Sequence, residues 1–309
     1  MARHLEGKVA IITGAAGGIG SALSSTFAAQ GAKLVLTDTG GDVEGRVMDT
    51  SRLDALVARV KGAGGEAIGT AGDIANMDYA ESVVRLALET YGKIDALVCV
   101  HGILRERMIF NMLEEEWDEV VRVHLKGCFA ITKFASIYWR TSMNGGRIIY
   151  FTSDAGVFGS AGQPNYSAAH AGKLGLMRSN AGALKKYNVT CNCIAPAAST
   201  RMTDRGRTVD RDTPPPSESA AGTDRDPAAI APIAVWLASD DGGAVTGRIF
   251  GAAGHRISVY NEPVQERALF GSKPMFDIDW LFDNWDKTMG QDRLFALPRR
   301  LATPGQAQG

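Results

Sequence analysis

The sequence predicts a doubly wound α/β fold, a mostly parallel β-sheet with helices on both faces. Short apolar runs rich in β-branched residues end at glycines or turn residues, and segments of helical length separate them. The 309 residues are 45% hydrophobic and 22% charged, enough apolar material for one sizeable core. Length alone allows one large domain or two small ones, and the repeating strand-helix order favours one.

Lys8 to Thr13 opens the pattern as a strand that stops at a glycine cluster before a helix over Ser21 to Gln30. A second strand, Lys33 to Thr37, ends at Asp38, and further strands are expected near Gly72 and over Ile94 to Val98, Gly146 to Phe151 and Val189 to Ile194. Helices are expected over Ser51 to Gly62, Tyr79 to Tyr91, Glu114 to Tyr138 and Tyr166 to Tyr187. Arg201 to Pro227 breaks this order with many charges and three consecutive prolines, and reads as a loop or lid. Ile230 to Ala238 reads as a helix and Gly247 to Phe250 as a last strand. Residues 1–260 therefore form the domain, and 261–309 form an extension. Its Phe276, Trp280, Phe282 and Trp285 are expected to pack on that domain or on a neighbouring subunit.

Composition narrows the function. Thirty-three basic and 34 acidic residues leave a net charge of −1, too little to hold nucleic acid or an anionic membrane surface. No apolar run reaches the ~18 residues of a membrane span, and the N-terminus lacks a secretory leader pattern, so a cytoplasmic protein is expected. Cys99, Cys128, Cys191 and Cys193 show no metal-site spacing and are expected as reduced core thiols, with Cys191 and Cys193 on alternate strand faces. No metal site is expected.

The glycine cluster carries the first chemistry. Gly14, Gly18, Ile19 and Gly20 lie between a strand and a helix, where backbone without side chains approaches a pyrophosphate and the helix N-terminus offers free N–H groups. In that position the motif predicts a Rossmann-type dinucleotide site. Asp38, at the end of the second strand, can accept bonds from ribose hydroxyls and repel a 2′-phosphate, which favours NAD over NADP. Asp73 and Ile74 are candidate adenine contacts.

Thr13-Gly-x-x-x-Gly-x-Gly20, then Ser153, then Tyr166 in Asn165-Tyr166-Ser167-Ala168-Ala169, resembles the short-chain dehydrogenase/reductase family over about residues 6 to 260. Gly102 to Arg107, Val123 to Gly127 and Arg201 to Thr203 are most similar to the branch of hydroxyacyl-CoA dehydrogenase domains in multifunctional β-oxidation proteins. The resemblance implies that Tyr166 exchanges a proton with the substrate oxygen and that Ser153 holds that oxygen. It also implies a small-molecule substrate, a homodimer or homotetramer built on the helices 114–138 and 166–187, and a substrate-covering loop at 201–227.

The chain departs from that family at two positions. The lysine expected one turn after Tyr166 is His170, and the active-site asparagine is His124. A neutral imidazole supplies no cation to favour the phenolate, so Tyr166 is expected to be a poorer base and turnover to rise at alkaline pH. Lys173 shares nearly the same helix face but lies ~10 Å along the axis, outside the expected machinery. His101 and Gly102 replace part of the family's stretch beside the nicotinamide ribose, and Thr200 matches its carboxamide contact. The leading expectation is an NAD(H)-dependent oxidoreductase interconverting a secondary alcohol and a ketone, such as a hydroxyacyl thioester or a cyclic or aromatic alcohol. Non-redox lyase or isomerase chemistry by His124, His170 and Tyr166, or a nucleotide-binding scaffold subunit, are the alternatives.

Overall fold

Every residue of strand β1 (Val9–Thr13) is buried, as a central strand covered on both faces requires. A computed structural model describes residues 3–46, 48–204, 216–265, 268–270 and 275–289. They form two compact units, residues 1–260 and 261–309.

In the larger unit, β1 leads into α1 (Gly18–Ala29), β2 (Lys33–Asp38), α2 (Ser51–Gly62), β3 (Glu66–Ala71), α3 (Met77–Tyr91) and β4 (Ala96–Cys99). After these come α4 (Glu114–Val121), α5 (Gly127–Ser142), β5 (Gly146–Phe151), α6 (Asp154–Phe158), α7 (Pro164–Leu184) and β6 (Val189–Pro196). Helix α8 (Ala231–Ala238) and strands β7 (Ile249–Ala253) and β8 (Arg256–Val259) complete it. The sheet order is β3-β2-β1-β4-β5-β6-β7-β8, and each neighbouring pair is parallel except β7 with β8. The chain starts in the middle of its sheet, so the order reverses beside β1 and leaves a crevice at the strands' carboxyl ends. Register brings those ends level there: Thr13 pairs with Thr37 on one side and Cys99 on the other.

Two core layers arise from the two-residue period of the strands. Ala10 and Ile12 face Leu23, Phe27 and Leu237 of α1 and α8. Ile11 faces the opposite layer with Trp139 and Met177 of α5 and α7. Burying a side chain such as Phe27 is worth roughly 2–3 kcal/mol, so each layer holds its helices firmly against the sheet.

Four differences from the sequence expectations have physical causes. Cys191 and Cys193 share one core layer instead of alternating, because residues two apart on a strand point the same way. The helix expected over 114–138 is two helices joined by a π-helical turn, Arg122–Lys126, whose wider coil carries His124 into the site. Helix α1 begins at Gly18, three residues before the expected start, so the glycine cluster itself forms its first turn. Strand β8 is largely exposed and antiparallel at the sheet edge, so no apolar run announces it.

Of the loop expected over 201–227, residues 205–215 lie outside the described residues. In the smaller unit Asp277 caps helix α9 (Ile278–Asn284) by accepting from Trp280 N at 3.0 Å, and the Phe276 and Trp280 rings stack. Phe282 lies in α9 and Trp285 directly follows it. Among the described residues no helix is long and apolar enough to cross a membrane.

Candidate active site

The crevice beside β1 opens on the N-terminus of α1. Gly14 has φ +69°, and a Cβ there would stand 2.5 Å from the His101 backbone, so the loop passes β4's extension at a distance only glycine permits. Gly20 packs equally closely on the Gly14 carbonyl. The first turn of α1 carries no acidic side chain, leaving its N–H groups and positive dipole end open to an anion.

At the end of β2, the Asp38 carboxylate accepts from Ala16 N and Gly40 N, each at 2.8 Å. It thereby ties the glycine loop to its own strand, and a carboxylate's remaining lone pairs can still take ribose hydroxyls. Asp73 accepts from Ala75 N at 2.9 Å and pairs with Arg122 at 2.5 Å, while Ile74 is buried beside it. These residues line one continuous cleft with Gly18, Ile19, Gly102, Thr200, Tyr166, His101, His124 and His170.

At the other end of the cleft, Pro164 starts α7 and sets Tyr166 in its first turn. Asn165, fully buried, donates to the carbonyls of Arg105 and Glu116 and accepts from Tyr166 N at 2.7 Å. It locks the loop after β4 to the helix that carries the tyrosine. The sequence alone does not single it out, although a polar residue directly before a candidate catalytic tyrosine is the available signal. Ser153 caps α6 by accepting from Ala155 N at 3.1 Å, and its side chain is near enough to Tyr166 to favour the phenolate, while the Tyr166 hydroxyl lies 4.0 Å from Met202 Sδ. Gly156 lets α6 close on the His170 backbone, which brings serine and tyrosine together.

Behind the tyrosine stand three imidazoles. The His170 ring lies 4.1 Å from the Tyr166 ring and 4.5 Å from the His124 ring, centroid to centroid, and neither of its nitrogens has a hydrogen-bond partner among the described residues. His124 places Nε2 2.8 Å from the Ile103 carbonyl oxygen and Nδ1 3.2 Å from Lys173 Nζ. His101 is turned onto β1 and α5, with Nδ1 2.5 Å from Thr13 Oγ1 and Nε2 3.8 Å from Cys128 Sγ. Lys173 is thus part of the site, contrary to the expectation from its place along the helix. Its long side chain runs back toward the helix N-terminus, the direction helical side chains favour.

Burial governs the electrostatics. It pushes the Tyr166 phenol up to about 12, with Glu106 adding to the rise and the Ser153 hydrogen bond opposing it. Burial first, then the nearby Lys173, holds the His124 and His170 imidazoles well below their ordinary range, so both rings are neutral at pH 7. Among the described residues no group of three or more histidine, cysteine or carboxylate side chains is placed to hold a metal.

A glycine loop at the sheet's reversal, with Tyr166 at the far end of the same cleft and Ser153 beside the tyrosine, defines a dehydrogenase class. The short-chain dehydrogenase family model matches residues 8–212, and the chain belongs to that family. It is 36% identical over 271 residues to the hydroxyacyl-CoA dehydrogenase ChsB1 of Mycobacterium tuberculosis, covering 85% of this chain and 82% of that one. It is 37% identical over 234 residues to the mouse peroxisomal multifunctional enzyme type 2, covering 76% of this chain but only 30% of that longer protein. A short-chain dehydrogenase from Mycobacterium avium, known as a crystal structure, superposes with a TM-score of 0.80 at 36% identity, over 94% of this chain and 97% of its own. The family uses NAD(P) and small-molecule substrates and commonly forms homo-oligomers.

Proposed function

We propose that this chain is an NAD(H)-dependent oxidoreductase that interconverts a secondary alcohol and a ketone, with Tyr166 as proton donor. The observation that carries the proposal is Tyr166, with Ser153 lowering its raised phenol, at one end of a cleft whose other end is the open N-terminus of α1. The residues fit a dinucleotide. The two His170 nitrogens are buried polar atoms without partners among the described residues, and a hydroxyl-bearing ligand would satisfy them.

In this reading Gly14, Gly18, Ile19 and Gly20 hold the pyrophosphate and Asp38 the adenosine ribose. Asp73 and Ile74 flank the adenine, the His101–Gly102 backbone with Tyr166 and His170 borders the nicotinamide ribose while the His101 ring stays on Thr13 and Cys128, and Thr200 takes the carboxamide. Bound nicotinamide supplies or accepts the hydride. Ser153 donates a hydrogen bond to the carbonyl oxygen, and Tyr166 delivers the proton that completes the alcohol. A phenol raised to about 12 holds that proton at neutral pH, so it suits reduction. His124 keeps the wall behind His170 in place.

The Asp38 carboxylate favours NADH over a cofactor bearing a 2′-phosphate, by at least about tenfold or 1.4 kcal/mol. The relatives' names make β-keto thioesters the first substrates to try, ahead of cyclic and aromatic ketones. Four free buried cysteines support a reducing compartment such as the cytoplasm, and the family habit supports a homodimer or homotetramer. The test is a fluorescence titration with NADH and NADPH, followed by a screen for loss of NADH absorbance with these ketones. Tight NADH binding with oxidation by one class supports the proposal. Binding without oxidation of NADH by any ketone returns the site to non-redox acid–base chemistry or to a scaffold role, and no binding overturns the proposal outright.

A further inference from the structure

Position 170 has lost the family's lysine, yet the cleft keeps a lysine. Lys173 is 1% exposed, and its Nζ lies 3.2 Å from His124 Nδ1 and 3.0 Å from the Phe151 carbonyl oxygen. Among the described residues no carboxylate lies within ion-pair distance of it. The other ionisable groups around it are the imidazoles of His124, His170 and His101 and the thiols of Cys99 and Cys128. Burying an ammonium without an acid is costly, so an ordinary packing role does not account for it.

Its partner explains what it does. As an ammonium Lys173 has three donors and no acceptor, and the Nδ1 it meets is then the unprotonated nitrogen of His124. Nε2 then carries the hydrogen and donates to the Ile103 carbonyl at 2.8 Å. The Ile103 N–H also lies 3.1 Å from the same Nε2, so the opposite tautomer would find a partner too. The backbone accepts either form of the ring, and the choice between them falls to the lysine. Gly102 rests directly on His124, since a Cβ there would run into Cε1. Whatever orients the imidazole therefore orients the Gly102–Ile103 wall of the cleft.

We propose that Lys173 is a positioning residue that holds His124 as the Nε2–H tautomer and, through it, fixes the Gly102–Ile103 backbone against the cleft. The pair does with an ammonium and an imidazole what one asparagine amide, carrying its own donor and acceptor, would do alone. Only the kinetic part of this inference rests on the oxidoreductase reading above.

The experiment records imidazole nitrogen shifts of the full ¹⁵N-labelled chain by long-range proton–nitrogen correlation, with His124→Asn used to assign the His124 signals. The expected wild-type pattern is unprotonated Nδ1 with protonated Nε2, and Lys173→Met is expected to shift the ring toward Nδ1–H. A protonated Nδ1 in the wild type, or an unchanged tautomer in a folded Lys173→Met, overturns the proposal. For turnover, Lys173→Met is expected to lower kcat for ketone reduction about tenfold to a hundredfold, more than it raises KM. In the His124→Asn background the same change is expected to cost almost nothing further, and an equal loss in both backgrounds overturns the coupling. If no ketone is reduced at all, the oxidoreductase reading fails while the nitrogen shifts still decide this one.

Discussion

Tyr166 sits in a buried environment that raises its phenol, with no cation among the causes of the shift, and its suppressed ionisation has a direct kinetic consequence. Reduction uses the protonated phenol and oxidation uses the phenolate, whose fraction grows tenfold per pH unit below about 12. The rate of alcohol oxidation is therefore expected to climb with pH across the neutral and alkaline range without levelling near pH 8. A plateau there in a pH–kcat/KM profile would show that the phenol ionises well below 12 before substrate binds, and would count against this account. Tyr166→Phe is expected to keep NADH binding and lose at least about a hundredfold in turnover, checked by titration and rate on one preparation. From the sequence alone, His170→Lys is expected to raise neutral-pH activity, but that expectation leaves Lys173 out. A second ammonium beside Lys173 would be repelled, so the gain should be larger in His170→Lys/Lys173→Met than in His170→Lys alone. A larger gain in the single variant would count against this account of the local charge.

At the scale of elements, the strand-turn-helix of β1 and α1 was legible because the physics there is local. A buried β-branched run must stop, and only glycine suits the turn after it, as Gly14 with φ +69° shows. Gly14→Ala combines positive-φ strain with a Cβ 2.5 Å from the backbone of His101, so it is expected to cost about 1–3 kcal/mol and to abolish NADH binding. A denaturation midpoint and a titration measure the two effects, and an unchanged midpoint would refute the steric argument. The π turn was not legible. Arg122–Lys126 has the apolar spacing of an ordinary helix, and its extra residue is set by the tertiary bonds of His124 to Ile103 and Lys173. Lys173 was misplaced for a related reason, because helix rise locates a Cα and a lysine side chain reaches several ångströms from it.

For the whole molecule, the layer order was readable from alternating periods, whereas the buried polar residues were not, since their burial depends on partners distant in sequence. Those residues determine how stability responds to acid. His124 and His170 are buried and neutral, with folded-state values well below the ordinary imidazole range, while the unfolded chain takes up protons on them near pH 6.5. Below that pH the unfolded state binds more protons than the folded one, so stability is fully present above about 6.5 and lost as pH falls toward the folded-state values. Each histidine contributes a slope of up to about 1.4 kcal/mol per pH unit. The lowered carboxylates, such as Glu116 held by Arg107 and Asp240 held by Lys8, act only below about pH 4.5, so the two windows separate. Urea midpoints between about pH 5 and pH 8 are expected to fall on the acid side for the wild type and to flatten in His124→Gln/His170→Gln. A double variant that keeps the full acid slope would place the proton uptake elsewhere in the fold, and would remove the claim that the imidazole floor of the cleft is neutral.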